Sequence, residues 1–106
     1  MTIYNEENIR EAIRNEVDSI VIENETIGNA FLVAGRVQNG QLPAIVLDRI
    51  KKDGTCRISV GEGLVIPVTK GLAETASRLL EAFDDKCIEI DVEEVAGRRF
   101  NIYYGS

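Results

Sequence analysis

The residues in this chain best suited to chemistry are carboxylates, and they concentrate near the C-terminus. Residues 84–94 include Asp84, Asp85, Glu89, Asp91, Glu93 and Glu94. A hard cation needs several oxygens that converge on one point, whereas the alternation of a strand would spread Glu89, Asp91 and Glu93 along one face. No Asp-x-Asp-x-Asp-Gly loop occurs, so we expect no metal site. These acids suit a basic protein partner instead, and the predicted partner-binding residues are Glu89, Asp91, Glu93 and Glu94.

Basic residues concentrate in the middle of the chain. Residues 31–60 contain five Lys or Arg and two Asp or Glu, although the whole chain has 12 bases, 18 acids and a net charge of −6. Bases near aromatic side chains can follow a phosphate backbone and stack nucleobases. The alternative prediction is therefore a single-stranded nucleic-acid-binding module that uses Lys51, Lys52, Arg57, Arg98, Arg99 and Tyr103. The acidic net charge opposes it, because such binding depends on attraction to phosphates.

Several groups on which enzymes commonly depend are missing from the sequence. There is no His, which excludes an imidazole base, a Ser-His-Asp triad and a His-containing metal site. Neither of the glycine-rich phosphate-binding patterns GxxxxGK[ST] and GxGxxG is present. We therefore expect no catalytic residues and no cofactor. The sequence favours a small acidic binding or regulatory protein, with inhibition of a nucleic-acid-handling enzyme as a more specific hypothesis.

The two cysteines, Cys56 and Cys87, lie 31 positions apart and form no Cys-x-x-Cys pair. Each falls in a run of residues typical of a strand. We expect two small buried thiols, as is usual for reduced cysteines in a cytosolic domain, with a disulfide or a reactive thiol as the alternatives.

Two segments have the apolar spacing of amphipathic helices. In residues 5–16 the apolar positions recur at helical intervals, and Asn5 is suited to cap the N-terminus. The second helix is predicted to follow Thr69 as its N-cap and to extend to about Phe83. Its apolar stripe comprises Leu72, Ala76, Leu79, Leu80 and Phe83.

The remaining apolar segments are predicted to be strands. Residues 19–23 form one, and four further runs lie within residues 31–68. These four runs are separated by Asn39-Gly40, Asp53-Gly54 and Gly61-Glu62-Gly63. Turn sequences of this kind favour tight hairpins, so we predict an antiparallel meander. Residues 86–92 and 98–104 alternate in polarity and predict a C-terminal hairpin.

Together these elements predict an α+β fold. It consists of an antiparallel β meander plus a C-terminal hairpin, with two amphipathic helices packed on one face. The length of 106 residues suits a single domain covering 1–106. No apolar segment is long enough to span a membrane, and the acidic N-terminal residues do not resemble a signal peptide, so we expect a cytoplasmic protein. A homodimer formed through the C-terminal hairpin is a further alternative.

Overall fold

The chain is a mixture of helices and strands, which confirms the α+β class. A computed structural model describes residues 1–59, 65–84, 89–94 and 99–105, the segment 89–94 by its backbone. In chain order the elements are β1 (Thr2–Ile3), α1 (Glu6–Arg14), β2 (Ser19–Ile22), α2 (Glu25–Gln38), α3 (Ile45–Asp53), β3 (Cys56–Ser59), β4 (Val65–Val68), α4 (Lys70–Phe83), β5 (Glu89–Glu94) and β6 (Arg99–Tyr103).

Both helix starts predicted from the sequence are confirmed. The Asn5 side chain accepts a hydrogen bond from the backbone N–H of Asn8 at 2.9 Å and caps α1. The Thr69 hydroxyl accepts one from the N–H of Leu72 at 3.2 Å and caps α4. Each cap satisfies a donor that the first helical turn leaves without a partner.

The predicted central meander is wrong in its first half, where two helices take the place of two strands. In α2, residues 30–35 are all buried, and a continuous apolar run is compatible with either a buried strand or a buried helix. Asn24 caps the N-terminus of α2, because its side chain accepts a hydrogen bond from the Ile27 N–H at 3.0 Å. With α3 added, the described residues contain four helices where two were predicted.

The turn signals of that segment end helices and do not close hairpins. Asn39 is the C-cap of α2, and Gly40 follows it at φ 76°. Gly54 is the C-cap of α3 at φ 108°, a conformation that glycine adopts far more easily than other residues. The Asn-Gly and Asp-Gly pairs were therefore correct signals for a change of direction, but did not identify the element that precedes it. Gly61-Glu62-Gly63 lies outside the described residues.

The described strands form two sheets. The larger has the order β1-β2-β6-β5, with β1 parallel to β2 and the other neighbours antiparallel. Its β5–β6 pairing is the expected C-terminal hairpin. Strands β3 and β4, from the second half of the predicted meander, pair antiparallel as a separate two-stranded sheet.

A single hydrophobic cluster joins the sheets to the helices. Helix α4 lies at its centre and contacts α1, α2 and α3. Phe31 of α2 meets Phe83 of α4 with ring centroids 5.6 Å apart, and meets Phe100 of β6 at 4.9 Å, both edge to face. All three rings are at most 1% exposed. Such geometry adds a specific attraction to the burial of apolar surface.

We expect Phe83→Ala to lower the free energy of unfolding by about 3–5 kcal/mol, since it leaves a cavity at the centre of this cluster. The matched control is Tyr103→Ala, which removes an aromatic ring that is 53% exposed and should cost less than about 1 kcal/mol. Urea denaturation followed by circular dichroism measures both. Equal losses for the two variants would contradict the central position of Phe83.

Candidate partner-binding surfaces

The four predicted partner-binding acids all belong to β5, which is the edge strand of the larger sheet. Among the described strands, β5 pairs with β6 alone. Glu89 pairs in register with Tyr103 and Asp91 with Asn101, and the register shifts between Val92 and Glu94. Such irregularities are frequent at sheet edges, where they interrupt regular pairing. The backbone thus places Glu89, Asp91, Glu93 and Glu94 along the outer edge of the sheet that the described strands form.

The neighbouring strand β6 shows which face of the sheet is open. Phe100 and Ile102 are each 1% exposed and lie in the core. Between and around them, Arg99 and Tyr103 are exposed and Asn101 is half-buried. This alternation puts one face of the sheet against the helices and leaves the other open.

The residues of the alternative nucleic-acid surface are distributed over several elements. Lys51 and Lys52 lie in the last turn of α3, and Lys51 is 3.4 Å from the carboxylate of Asp48. Arg57 is on β3 of the smaller sheet, whereas Arg99 and Tyr103 are on β6 of the larger one. Arg99 pairs in register with Glu94. Arg98 lies outside the described residues.

A groove of about 290 Å³ lies beside α3, and no pattern in the sequence predicts it. Its lining comprises Val46, Arg49, Ile50, Asp53, Gly54, Thr55 and Cys56. Cys56 is exposed and reduced, so the expectation that it would be buried is wrong. It begins β3, before the strand enters the core at Ile58, which is 5% exposed. Cys87 lies outside the described residues.

An ion-pair network joins the first helix to the central one. The Glu6 carboxylate accepts hydrogen bonds from Arg10 at 2.7 Å and from Arg78 of α4 at 3.0 and 3.1 Å. The Arg78 hydrogen bond is the main cause of the lowered pKa of Glu6, partly opposed by burial, and the charge of Arg10 adds to it. The network anchors α1 to α4.

A second polar contact joins the residue that follows β6 to the segment between α1 and β2. The hydroxyl of Tyr104 donates a hydrogen bond to the carbonyl oxygen of Val17 at 2.7 Å. Burial, with the nearby charges of Glu16 and Asp18, raises the pKa of Tyr104 to about 12. Tyr104 is therefore a neutral hydrogen-bond donor at neutral pH and serves a structural role.

The described residues contain neither a metal-binding cluster nor a membrane-spanning helix. They contain no group of three or more Cys, Asp or Glu side chains placed to hold a metal ion. None of the described helices combines the length and apolar character needed to cross a bilayer.

No family model, curated protein or solved structure matches this chain. The surfaces of the chain itself are therefore the basis for inferring its function. The two that stand out are the acidic edge formed by β5 and the groove beside α3.

We expect Glu6→Gln to destabilise the fold by about 0.2–1 kcal/mol at pH 7, the usual range for an ion pair whose partners keep access to solvent, as Arg10 and Arg78 do here. A carboxylate with a lowered pKa stabilises the folded state above its unfolded pKa of about 4.3, and this contribution disappears as the pH falls through the lower folded value. The difference between wild type and variant should therefore shrink below about pH 4.

Glu11→Gln is the matched control, because it removes one exposed carboxylate from the same helix. Thermal unfolding at a series of pH values measures both variants. If the loss of stability in Glu6→Gln relative to wild type stays constant down to pH 2, the charge of Glu6 is not what stabilises the contact.

Proposed function

We propose that this protein is a cytosolic binding or regulatory protein that acts, without catalysis, on a basic protein partner through the acidic edge strand β5. The observation that carries the proposal is the position of this strand. Four of its six residues are acidic, and it ends the order β1-β2-β6-β5. An edge strand has unpaired backbone donors and acceptors along one side, which an extended segment of another chain can use.

The charge of β5 restricts which chains can pair with it. A second copy would place acids opposite acids, and like charges directly across a strand pair are destabilising. A segment rich in Lys or Arg would gain both the backbone hydrogen bonds and the electrostatic attraction. The net charge of −6 would also accelerate its approach at low salt.

Among basic partners, we favour an enzyme that handles nucleic acid. The substrate site of such an enzyme is lined by bases that normally contact phosphates, and a row of carboxylates along a strand supplies competing negative charge. Binding there would inhibit the enzyme.

Direct nucleic-acid binding has weaker support. Its six residues are spread over α3, β3 and β6 and a position outside the described residues, and Lys51 is near Asp48. Arg99 is adjacent in register to an acidic position of β5. A continuous track for a phosphate backbone does not follow from these placements.

The test reverses the charge of the strand in a variant with Glu89→Lys, Asp91→Lys, Glu93→Lys and Glu94→Lys. Its matched control carries Glu7→Lys, Glu11→Lys, Glu74→Lys and Glu81→Lys, four exposed positions on α1 and α4. Both variants have the same net charge, so they differ in where the charge lies. Circular dichroism checks that both fold.

The probe is a labelled peptide of alternating Lys and Thr, titrated by fluorescence anisotropy, together with proteins captured from the native lysate. Wild type should bind the peptide, the β5 variant should bind at least about tenfold more weakly, and the control should lie between them. Unchanged binding by the β5 variant, or equal losses in both variants, would contradict the proposal.

The nucleic-acid alternative has a separate test. Labelled single-stranded DNA and RNA are titrated with wild-type protein at low and at moderate salt. We expect no binding in either condition, because the overall charge repels phosphates. Binding at low salt that is lost on Lys51→Glu, Lys52→Glu and Arg57→Glu would favour the alternative.

A further inference from the structure

We propose that Asn39 is a site of spontaneous deamidation, and that the reaction proceeds in molecules whose link between α2 and α3 (residues 39–44) has opened locally. No other asparagine in the chain precedes a glycine. The site is separate from β5 and needs no partner. It follows from the backbone conformation of Asn39 and from the hydrogen bonds that hold the link to the end of α2.

The reaction is an attack by a backbone nitrogen on the side chain of the preceding residue. The Gly40 nitrogen forms a bond to Cγ of Asn39, its proton passes to solvent, and the side-chain nitrogen leaves as ammonia. Water then opens the resulting succinimide ring at either carbonyl, which gives aspartate or isoaspartate. Water is the only other reactant. Glycine suits the attacking position, because it has no side chain to restrict the backbone or shield the nitrogen.

The native backbone holds the reacting atoms in an unproductive arrangement. Asn39 is the C-cap of α2, with φ −82° and ψ 2°. At this ψ the Gly40 nitrogen is eclipsed with the backbone nitrogen of Asn39 about the Cα–C bond, whereas ring closure requires it to be eclipsed with Cβ. A large rotation about that bond must therefore precede the attack, and the end of α2 cannot keep its present conformation while the rotation occurs.

Hydrogen bonds oppose this rotation. The Gly40 N–H donates to the carbonyl oxygen of Val37 at 3.1 Å, and this bond must break because the ring nitrogen carries no hydrogen. The N–H groups of Gln41 and Leu42 both donate to the carbonyl oxygen of Arg36, at 2.9 and 3.2 Å. The Arg36 guanidinium also donates to the side-chain oxygen of Gln41 at 2.6 Å. The reaction therefore requires a local opening, which costs less free energy than global unfolding.

The products weaken the link that protected the site. Both place a new carboxylate at the C-cap of α2, where the helix dipole disfavours negative charge. Isoaspartate also carries the main chain through Cβ, so it lengthens the backbone just before Gly40. The N–H groups of Gln41 and Leu42 are then displaced from the carbonyl oxygen of Arg36 to which they donate. Deamidation thus converts a transient opening into a lasting one.

The experiment measures the conversion of Asn39 by peptide mapping with mass spectrometry, in buffer and in urea at the same mildly alkaline pH and temperature. Conversion should be at least about tenfold faster in urea, because the unfolded chain samples the required rotation without breaking hydrogen bonds. Asn29, which lies within α2 and precedes an alanine, is the internal control. It should remain largely unmodified in both conditions, since alanine restricts the attacking nitrogen.

Two variants test the role of the link without changing Asn39 or Gly40. Gln41→Ala removes the side-chain hydrogen bond with Arg36 from an exposed position. Deamidation of the folded protein should then accelerate about two- to tenfold, the effect of one hydrogen bond on an opening equilibrium. Gln38→Ala is the matched control, because the Gln38 side chain has no hydrogen bond with any described residue. Its rate should stay within about twofold of wild type, and all three proteins should react equally fast in urea.

Hydrogen exchange of the Gly40 amide, followed by NMR, supplies an independent readout, because the same N–H must be released for exchange and for ring closure. Gln41→Ala should accelerate exchange and deamidation by the same factor. Equal deamidation rates in buffer and in urea, or no conversion of Asn39 in urea, would overturn the proposal. Equal effects of Gln41→Ala and Gln38→Ala, or faster deamidation with unchanged exchange, would overturn it too.

Discussion

The contact among three phenylalanine rings is the constraint on which the rest of the structure depends. Phe31, Phe83 and Phe100 come from α2, α4 and β6, three elements far apart in sequence, and their rings meet edge to face at the centre of the core. Burying rings of this size contributes several kcal/mol each, comparable with a large part of the total stability of a small domain, about 5–15 kcal/mol. The positions of α4 and of the middle of the sheet are therefore linked.

This arrangement also determines what the surfaces offer. With Phe100 directed into the core, the alternation of β6 leaves Arg99 and Tyr103 on the open side, and β5 pairs with the outer side of β6 as the last strand. Helix α3 packs against α4, and the chain passes from α3 through Gly54 into β3. The groove lies at that junction. The acidic edge and the groove are thus consequences of one core, although they belong to different sheets.

Sequence reasoning succeeded where local chemistry decides the structure. Asn5 and Thr69 cap their helices through their own side chains, and β2 and the C-terminal hairpin follow from short alternating runs. It failed for α2 and α3, where the apolar run around Phe31 fits a buried strand as well as a buried helix. Helical signals were present, namely Asn24 as an N-cap and Lys51 and Lys52 at the C-terminal end of α3. Phe31 contacts Phe83 and Phe100, and no local window of the sequence contains these partners.

The sequence predicts the two candidate sites to different extents, because long-range contacts determine where their residues lie. The acids of β5 are evident in the sequence, but their location at an edge depends on strand order, which long-range pairing determines. Strand alternation would place Cys56 on the same side as Ile58, yet Ile58 is buried and Cys56 is exposed, because β3 begins before it enters the core. At physiological salt, charges are screened over about 8 Å. The net charge of −6 therefore describes the acidic strand β5 better than it describes the segment 45–59, which has four bases and two acids.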